Sequence, residues 1–171
     1  VEIINKLENS KQTIWMGDSA GGGLATGILV DKTFNISPDK LILMSPWLDL
    51  SDENKDRKYL KNKDILLAID GVKNIGEYYA GEYGATNPIL SPVFAEIKTF
   101  PNTLIQVCSD ELLYNDAIEF CQKLEKNNIP YELQTWENLW HGWQFFPIQE
   151  AKEAREKIVS FVKDNSYSSP K

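Results

Sequence analysis

The sequence has one histidine, two cysteines and two methionines in 171 residues, and its 18 Lys plus Arg fall short of its 25 Asp plus Glu, a net charge of −7. Each shortage excludes something. Cys108 and Cys121 form no CxxC pair and have a single histidine for company, so they build neither a disulfide framework nor a zinc site. Both read as buried thiols. The deficit of basic residues excludes a phosphate-binding surface, which needs clustered Lys and Arg, so neither nucleic acid nor an anionic membrane is an expected partner. No apolar run reaches the ~20 residues that span a bilayer. The opening VEIINKLENS has neither the charged n-region nor the apolar h-region of a signal peptide. The expectation is a cytoplasmic protein.

What is present is enough apolar residue to make a core: 42% hydrophobic and 11% aromatic, far from the composition of a disordered chain. The length suits one domain. Along it, strand and helix signals alternate. Residues 13–16 are a short strand-like run ending at Gly17, and 20–30 follow with Leu24 and Ile28, then Ala25 and Leu29, at helical spacing. Residues 41–44 read as a buried strand, 45–50 as a loop, 64–80 as a helix interrupted by Gly71 and Gly76, and the two prolines of 87–92 as a second loop. A strand over 103–108 leads into a helix carrying Ala117, Phe120, Cys121 and Leu124 on one face. A fourth strand over 131–136 leads into a closing helix marked by Ala151, Ala154, Ile158, Phe161 and Val162.

This alternation predicts an α/β fold of about four parallel strands, near-continuously apolar and flanked by helices, over 1–164, with a polar tail at 165–171. The start reads as the tail of a helix (Ile3, Ile4, Leu7). A first strand so close to it would stand at an open sheet edge unless another strand or chain covers it.

Three residues could carry chemistry. Gly17-Asp18-Ser19-Ala20-Gly21 fits G-x-S-x-G between a strand and a helix, where a sharp turn exposes a hydroxyl above the sheet. The small residues Gly17 and Gly21 permit the bend, and the backbone N–H of Ala20, at a helix N-terminus, is placed to receive oxyanion charge. His141, in Trp140-His141-Gly142, lies in the loop after the last strand, where loops at the carboxyl ends of strands line the site of an open α/β sheet. An orienting carboxylate should come from the end of a strand between these two. Asp110 directly follows the 103–108 strand; Glu111 is its close rival and Asp116, inside the next helix, a weaker one. Any one of these residues alone reads as well as a turn, a core imidazole or a solvated acid. Their conjunction, in the chain order Ser, Asp, His, carries the argument.

The sequence resembles the hormone-sensitive-lipase-like branch of the α/β-hydrolases, which includes bacterial acetyl esterases and carboxylesterases. The resemblance rests on Gly17 to Gly22, Ser45-Pro46-Trp47-Leu48-Asp49-Leu50-Ser51, Leu90-Ser91-Pro92, Pro101 to Val107 with Ser109-Asp110-Glu111-Leu112-Leu113, and Trp140-His141-Gly142. It implies Ser19 as nucleophile, Asp110 as orienting acid, His141 as base, short-chain acyl esters as substrates, and no cofactor or metal. It also implies that the chain matches the C-terminal half of the fold, without the N-terminal strands, the cap and the His-Gly-Gly segment that supplies most of the oxyanion hole. The expectation is therefore a serine esterase half with impaired activity alone, in need of an N-terminal half or an oligomer partner over the open edge. Two rivals are a non-catalytic relic and a small hydrolase complete at four strands.

Overall fold

The computed structural model describes residues 12–51, 57–61 and 63–164. The helix expected around Ile3, Ile4 and Leu7 and the polar tail at 165–171 lie outside them. Strands β1 (Ile14–Asp18), β2 (Lys40–Met44), β3 (Asn102–Cys108) and β4 (Tyr131–Trp136) form one parallel sheet in the order β1-β2-β3-β4. Helix α1 (Ser19–Val30) joins β1 to β2, α4 (Tyr114–Lys126) joins β3 to β4, and α5 (Gln149–Lys163) closes the described chain. Between β2 and β3 lie the single turn α2 (Arg57–Leu60) and α3 (Ile69–Ala80). The expected α/β architecture is therefore observed.

Side-chain alternation sorts the core onto two faces. Leu41, Leu43, Ile105 and Val107 meet Ala117, Phe120 and Leu124 of α4, with Ala25 and Leu29 of α1 packed against them. Ile42, Met44 and Leu104 meet Ile158 and Phe161 of α5 on the other face. Helices cover both sides, which is why β2 and β3 are buried at every position. The outer strands depart from the expected continuous apolarity. In β4, Glu132 and Thr135 are exposed between half-buried and buried neighbours, and in β1 Met16 and Asp18 are exposed. Among the described residues β1 pairs with β2 alone, so it is the edge of the described sheet.

Two polar residues buried in this frame explain local departures. Lys40 is 2% exposed because its Nζ donates to the carbonyls of Phe161 (2.6 Å), Val162 (3.2 Å) and Asp164, a cation seated on the C-terminus of α5. Helix α3 starts at Ile69 instead of Asp64, because the Asp64 carboxylate accepts the N–H groups of Leu66 (2.9 Å) and Leu67 (3.1 Å) and holds a turn there. Its other oxygen accepts the Leu112 N–H at 3.0 Å.

Cys108 and Cys121 are buried free thiols, as expected. Trp143 is fully buried, whereas Tyr78 and Tyr79 are exposed. Among the described residues no helix is long and apolar enough to cross a membrane.

Candidate active site

The serine turn forms because the chain must reverse from strand to helix within one residue. Asp18 is still extended (φ −110°), and Ser19 takes φ +49° as the first residue of α1. Such a value is uncommon outside glycine and costs of order 1–3 kcal/mol, which the surrounding contacts must hold. A Cβ on Gly17 would stand 2.5 Å from the Gly21 carbonyl oxygen, so Gly17 is required by the bend. Gly21 itself has room: its nearest neighbour would be an Asp18 carboxylate oxygen at 3.9 Å. The tight contact expected of Gly21 belongs instead to Gly22 and Gly23, whose Cβ atoms would meet Pro46 Cβ at 2.9 Å and the Trp47 carbonyl oxygen at 2.3 Å. Helix α1 thus lies against the 45–51 loop almost backbone to backbone, and the Trp47 N–H donates to the Ser19 carbonyl at 2.9 Å.

That loop is fixed from below. Arg57, buried, donates to both Asp116 oxygens at 2.9 Å and to the carbonyls of Asp49 (2.6 Å) and Ser51 (2.8 Å), while Asp116 accepts the N–H groups of Leu48 (3.2 Å) and Asp49 (3.1 Å). Asp116 is committed to this anchor and does not serve the histidine.

His141 reaches the serine from 122 residues away: its Nε2 lies 2.8 Å from Ser19 Oγ. The loop that carries it turns through Asn138 (φ +59°) and Gly142 (φ +67°) and is pinned by Trp143, fully buried against Trp136 with ring centroids 4.6 Å apart. Burial holds the imidazole below its ordinary pKa, opposed by the charges of Asp64 and Asp18. It is therefore neutral at pH 7, with a lone pair to offer.

The third group is not where Asp110 was expected to supply it. Asp110 turns outward: one oxygen accepts from Lys63 Nζ at 2.8 Å, the other from the Asn138 N–H at 2.7 Å, and these bonds hold its carboxyl below the ordinary range. The structure brings Glu111 to the histidine instead. Glu111 is 0% exposed, and its Oε1 faces His141 Nδ1 at 4.0 Å. Neither atom has a hydrogen-bond partner, although both are fully buried. Its other oxygen, Oε2, accepts from Ser45 Oγ at 2.8 Å. Burial pushes the Glu111 carboxyl up to about 8 against the pull of that hydroxyl.

The physical reason for the exchange is the strand end. After Cys108 the chain makes a tight turn, with the Glu111 N–H returning to the Cys108 carbonyl at 3.3 Å. The first acid of the turn then faces solvent, and the second faces inward with Leu112 and Leu113. A signal existed: an acid followed directly by two leucines lies on the buried side of its turn. Ser45 belongs to the 45–50 loop and to a stretch that carries the family resemblance, but its contact with Glu111 has no signature in composition or spacing.

The Ala20 N–H lies in the first turn of α1, where N–H groups have no partner within the helix, and the Asp18 side chain makes no capping bond to it. From Ala20 and Gly21 an apolar groove of about 350 Å³ runs along α1 past Leu24 and Ile28 toward Phe34, walled by Ile75, Tyr79 and Ile89. Among the described residues no group of three or more His, Cys, Asp or Glu could hold a metal ion.

A family model described as alpha/beta hydrolase fold matches residues 5–145. An esterase of Acinetobacter venetianus is 31% identical over 157 residues, covering 89% of this chain and 52% of its own length. An acetyl-hydrolase of Streptomyces hygroscopicus is 30% identical over 151 residues, covering 86% and 50%. A hormone-sensitive lipase from a metagenome library superposes with a TM-score of 0.82 at 30% identity over 87% of this chain and 52% of its own. The chain spans about half the length of the curated relatives it matches.

Proposed function

The chain belongs to the alpha/beta hydrolase fold family, and from that premise we propose that it carries the catalytic centre of a serine carboxylic-ester hydrolase. Ser19 is the nucleophile, His141 the base and Glu111 the orienting acid. The observation that carries the reading is the 2.8 Å approach of His141 Nε2 to Ser19 Oγ, within the reach that general-base catalysis needs. The substrates are acyl esters with short acyl chains.

In the reaction, Ser19 Oγ attacks the ester carbonyl carbon while His141 Nε2 takes its proton. The carbonyl oxygen becomes an anion facing the Ala20 N–H. As the tetrahedral intermediate collapses, the bond to the alcohol oxygen breaks and Nε2 returns the proton to that oxygen. Water then attacks the acyl-serine by the same exchange, releasing the acid and restoring the serine hydroxyl. Glu111 fixes the tautomer with hydrogen on Nδ1 and stabilises the imidazolium that forms. Its 4.0 Å separation closes to a hydrogen bond in the reacting complex, since such bonds are often long before substrate binds.

One N–H is a meagre oxyanion site, and losing a single donor typically costs about 10² to 10³ in turnover. The reading therefore includes a partner half that supplies further donors and covers the edge of β1. Exposed apolar residues flank that edge on both faces: Met16, Phe145 and Val159 on one, Leu24 and Ile75 on the other. A strand added beside β1, with a helix along the α1 groove, would bury them.

The experiment is intact-mass analysis after treatment with a fluorophosphonate, beside Ser19→Ala. The expected result is one adduct, absent in the variant; a folded protein that takes no adduct, or takes it equally without Ser19, overturns the reading.

A further inference from the structure

Ser19 and Ser45 occupy equivalent places in the sheet. Asp18 and Met44 are register partners at the ends of β1 and β2, and the residue after each is a serine in the left-handed region, φ +49° at Ser19 and φ +47° at Ser45. The other two non-glycine residues with positive φ among those described are Asn128 and Asn138, a residue type that tolerates it. The strain at Ser19 presents the nucleophile. The same strain at Ser45 starts no helix and presents no group to solvent, since Ser45 is 1% exposed. What the conformation does is aim its hydroxyl at the acid and the histidine loop.

Four polar atoms lie within hydrogen-bond distance of that hydroxyl: Glu111 Oε2, the Gly142 N–H, and the Oε1 and Nε2 of the Gln144 amide. It has one proton, and the shortest contact, 2.8 Å to Glu111 Oε2, takes it. Its oxygen then accepts from the Gly142 N–H and from Gln144 Nε2, each at 3.4 Å. One oxygen atom therefore joins the end of β2, the carboxylate after β3 and the backbone beside His141. We infer that Ser45 is a positioning residue for the proposed reaction: its hydroxyl holds Glu111 toward His141 Nδ1 and favours the ionised carboxylate over the protonated one. The inference rests on the reading of Glu111 and His141 as acid and base.

The mechanism is electrostatic. Burial first, and then the charges of Asp64 and Asp116, oppose the Glu111 charge, while the Ser45 hydroxyl and, less strongly, a hydrogen bond at the Cys108 backbone favour it. Withdrawing a hydrogen bond to a buried charge removes a contribution of about 1.5 to 3 kcal/mol, which converts to about 1 to 2 pH units.

The sole histidine makes this measurable without turnover. In protein labelled with 13C at histidine Cε1, one resonance reports His141, and it has an alkaline inflection as Glu111 ionises; Glu111→Gln removes that inflection and so identifies it. In Ser45→Ala the inflection is expected to move up by about 1 to 2 pH units. Ser45→Gly, which takes the left-handed conformation without strain and so folds, should show the same upward move. An inflection unmoved in both variants, or absent from the wild-type protein, overturns the inference. Labelling of Ser19 is a separate readout: its failure would count against the esterase reading and leave the spectroscopic result standing on its own.

Discussion

Glu111 Oε1 and His141 Nδ1 face each other across 4.0 Å with no other partner for either atom, and this mutual dependence separates Glu111 from the acid beside it. Glu111→Gln keeps the volume but removes the charge that stabilises imidazolium. Its fluorophosphonate labelling rate should fall by about 10² to 10⁴. Asp110→Asn breaks only a partly exposed pair with Lys63, a contact of about 0 to 1 kcal/mol, so its rate should stay within about fivefold of the parent. Equal losses in the two variants, measured side by side, would return the role to Asp110.

The pH dependence of labelling follows from the same pair. His141, held low by burial, is already neutral at pH 7, so its titration does not set the limb. Glu111 must be ionised to serve, and burial raises its carboxyl to about 8. The labelling rate should therefore climb between about pH 7 and pH 9. A profile complete by pH 6.5 would show that the carboxylate is ionised well below that value.

Close approach between α1 and the 45–51 loop makes a steric prediction. Gly23→Ala would put its Cβ 2.3 Å from the Trp47 carbonyl oxygen, an overpacking of backbone against backbone that costs about 1 to 3 kcal/mol. Gly21→Ala meets nothing nearer than 3.9 Å and replaces a helical glycine, so it should gain up to about 1 kcal/mol. Urea midpoints of the two variants should move in opposite directions.

Much of this was legible in the sequence, for reasons that also mark where legibility stopped. The alternation of strand and helix, the serine turn and the sole histidine are local patterns, and β2 announces burial through the apolar run Leu41 to Met44, β3 less cleanly because Gln106 interrupts Leu104-Ile105 and Val107-Cys108. The choice between Asp110 and Glu111 depends on the rotation of one turn after β3, which spacing along the chain does not record. The start of α3 was displaced because Asp64 spends its carboxylate on a turn and on the Leu112 N–H. Arg57 was invisible for a similar reason: its worth lies in carbonyls and in Asp116, 59 residues away.

Buried carboxyls also set how stability changes with pH. Glu111 is raised from 4.5 to about 8, and Asp116 from 3.8 to about 7, both chiefly by burial, with Arg57 opposing the second. A folded-state pKa above the unfolded one means that the native protein holds more protons between the two values, so stability is full below about 4 and is lost as pH rises toward 8. His141 has the opposite sign: lowered in the fold, it costs stability only as pH falls below about 6.5. Above pH 6.5 the carboxyls act first, the thiols of Cys108 and Cys121, also raised by burial, add a loss of the same sign as pH nears 9, and the unfolding midpoint in urea should decline from pH 6.5 to pH 8.5. Glu111→Gln removes the larger titration, so its midpoint should decline distinctly less over that interval. A variant whose midpoint falls as steeply as the parent's would show that Glu111 is ionised throughout, and that its charge is held in the fold by Ser45 and His141 at ordinary pH.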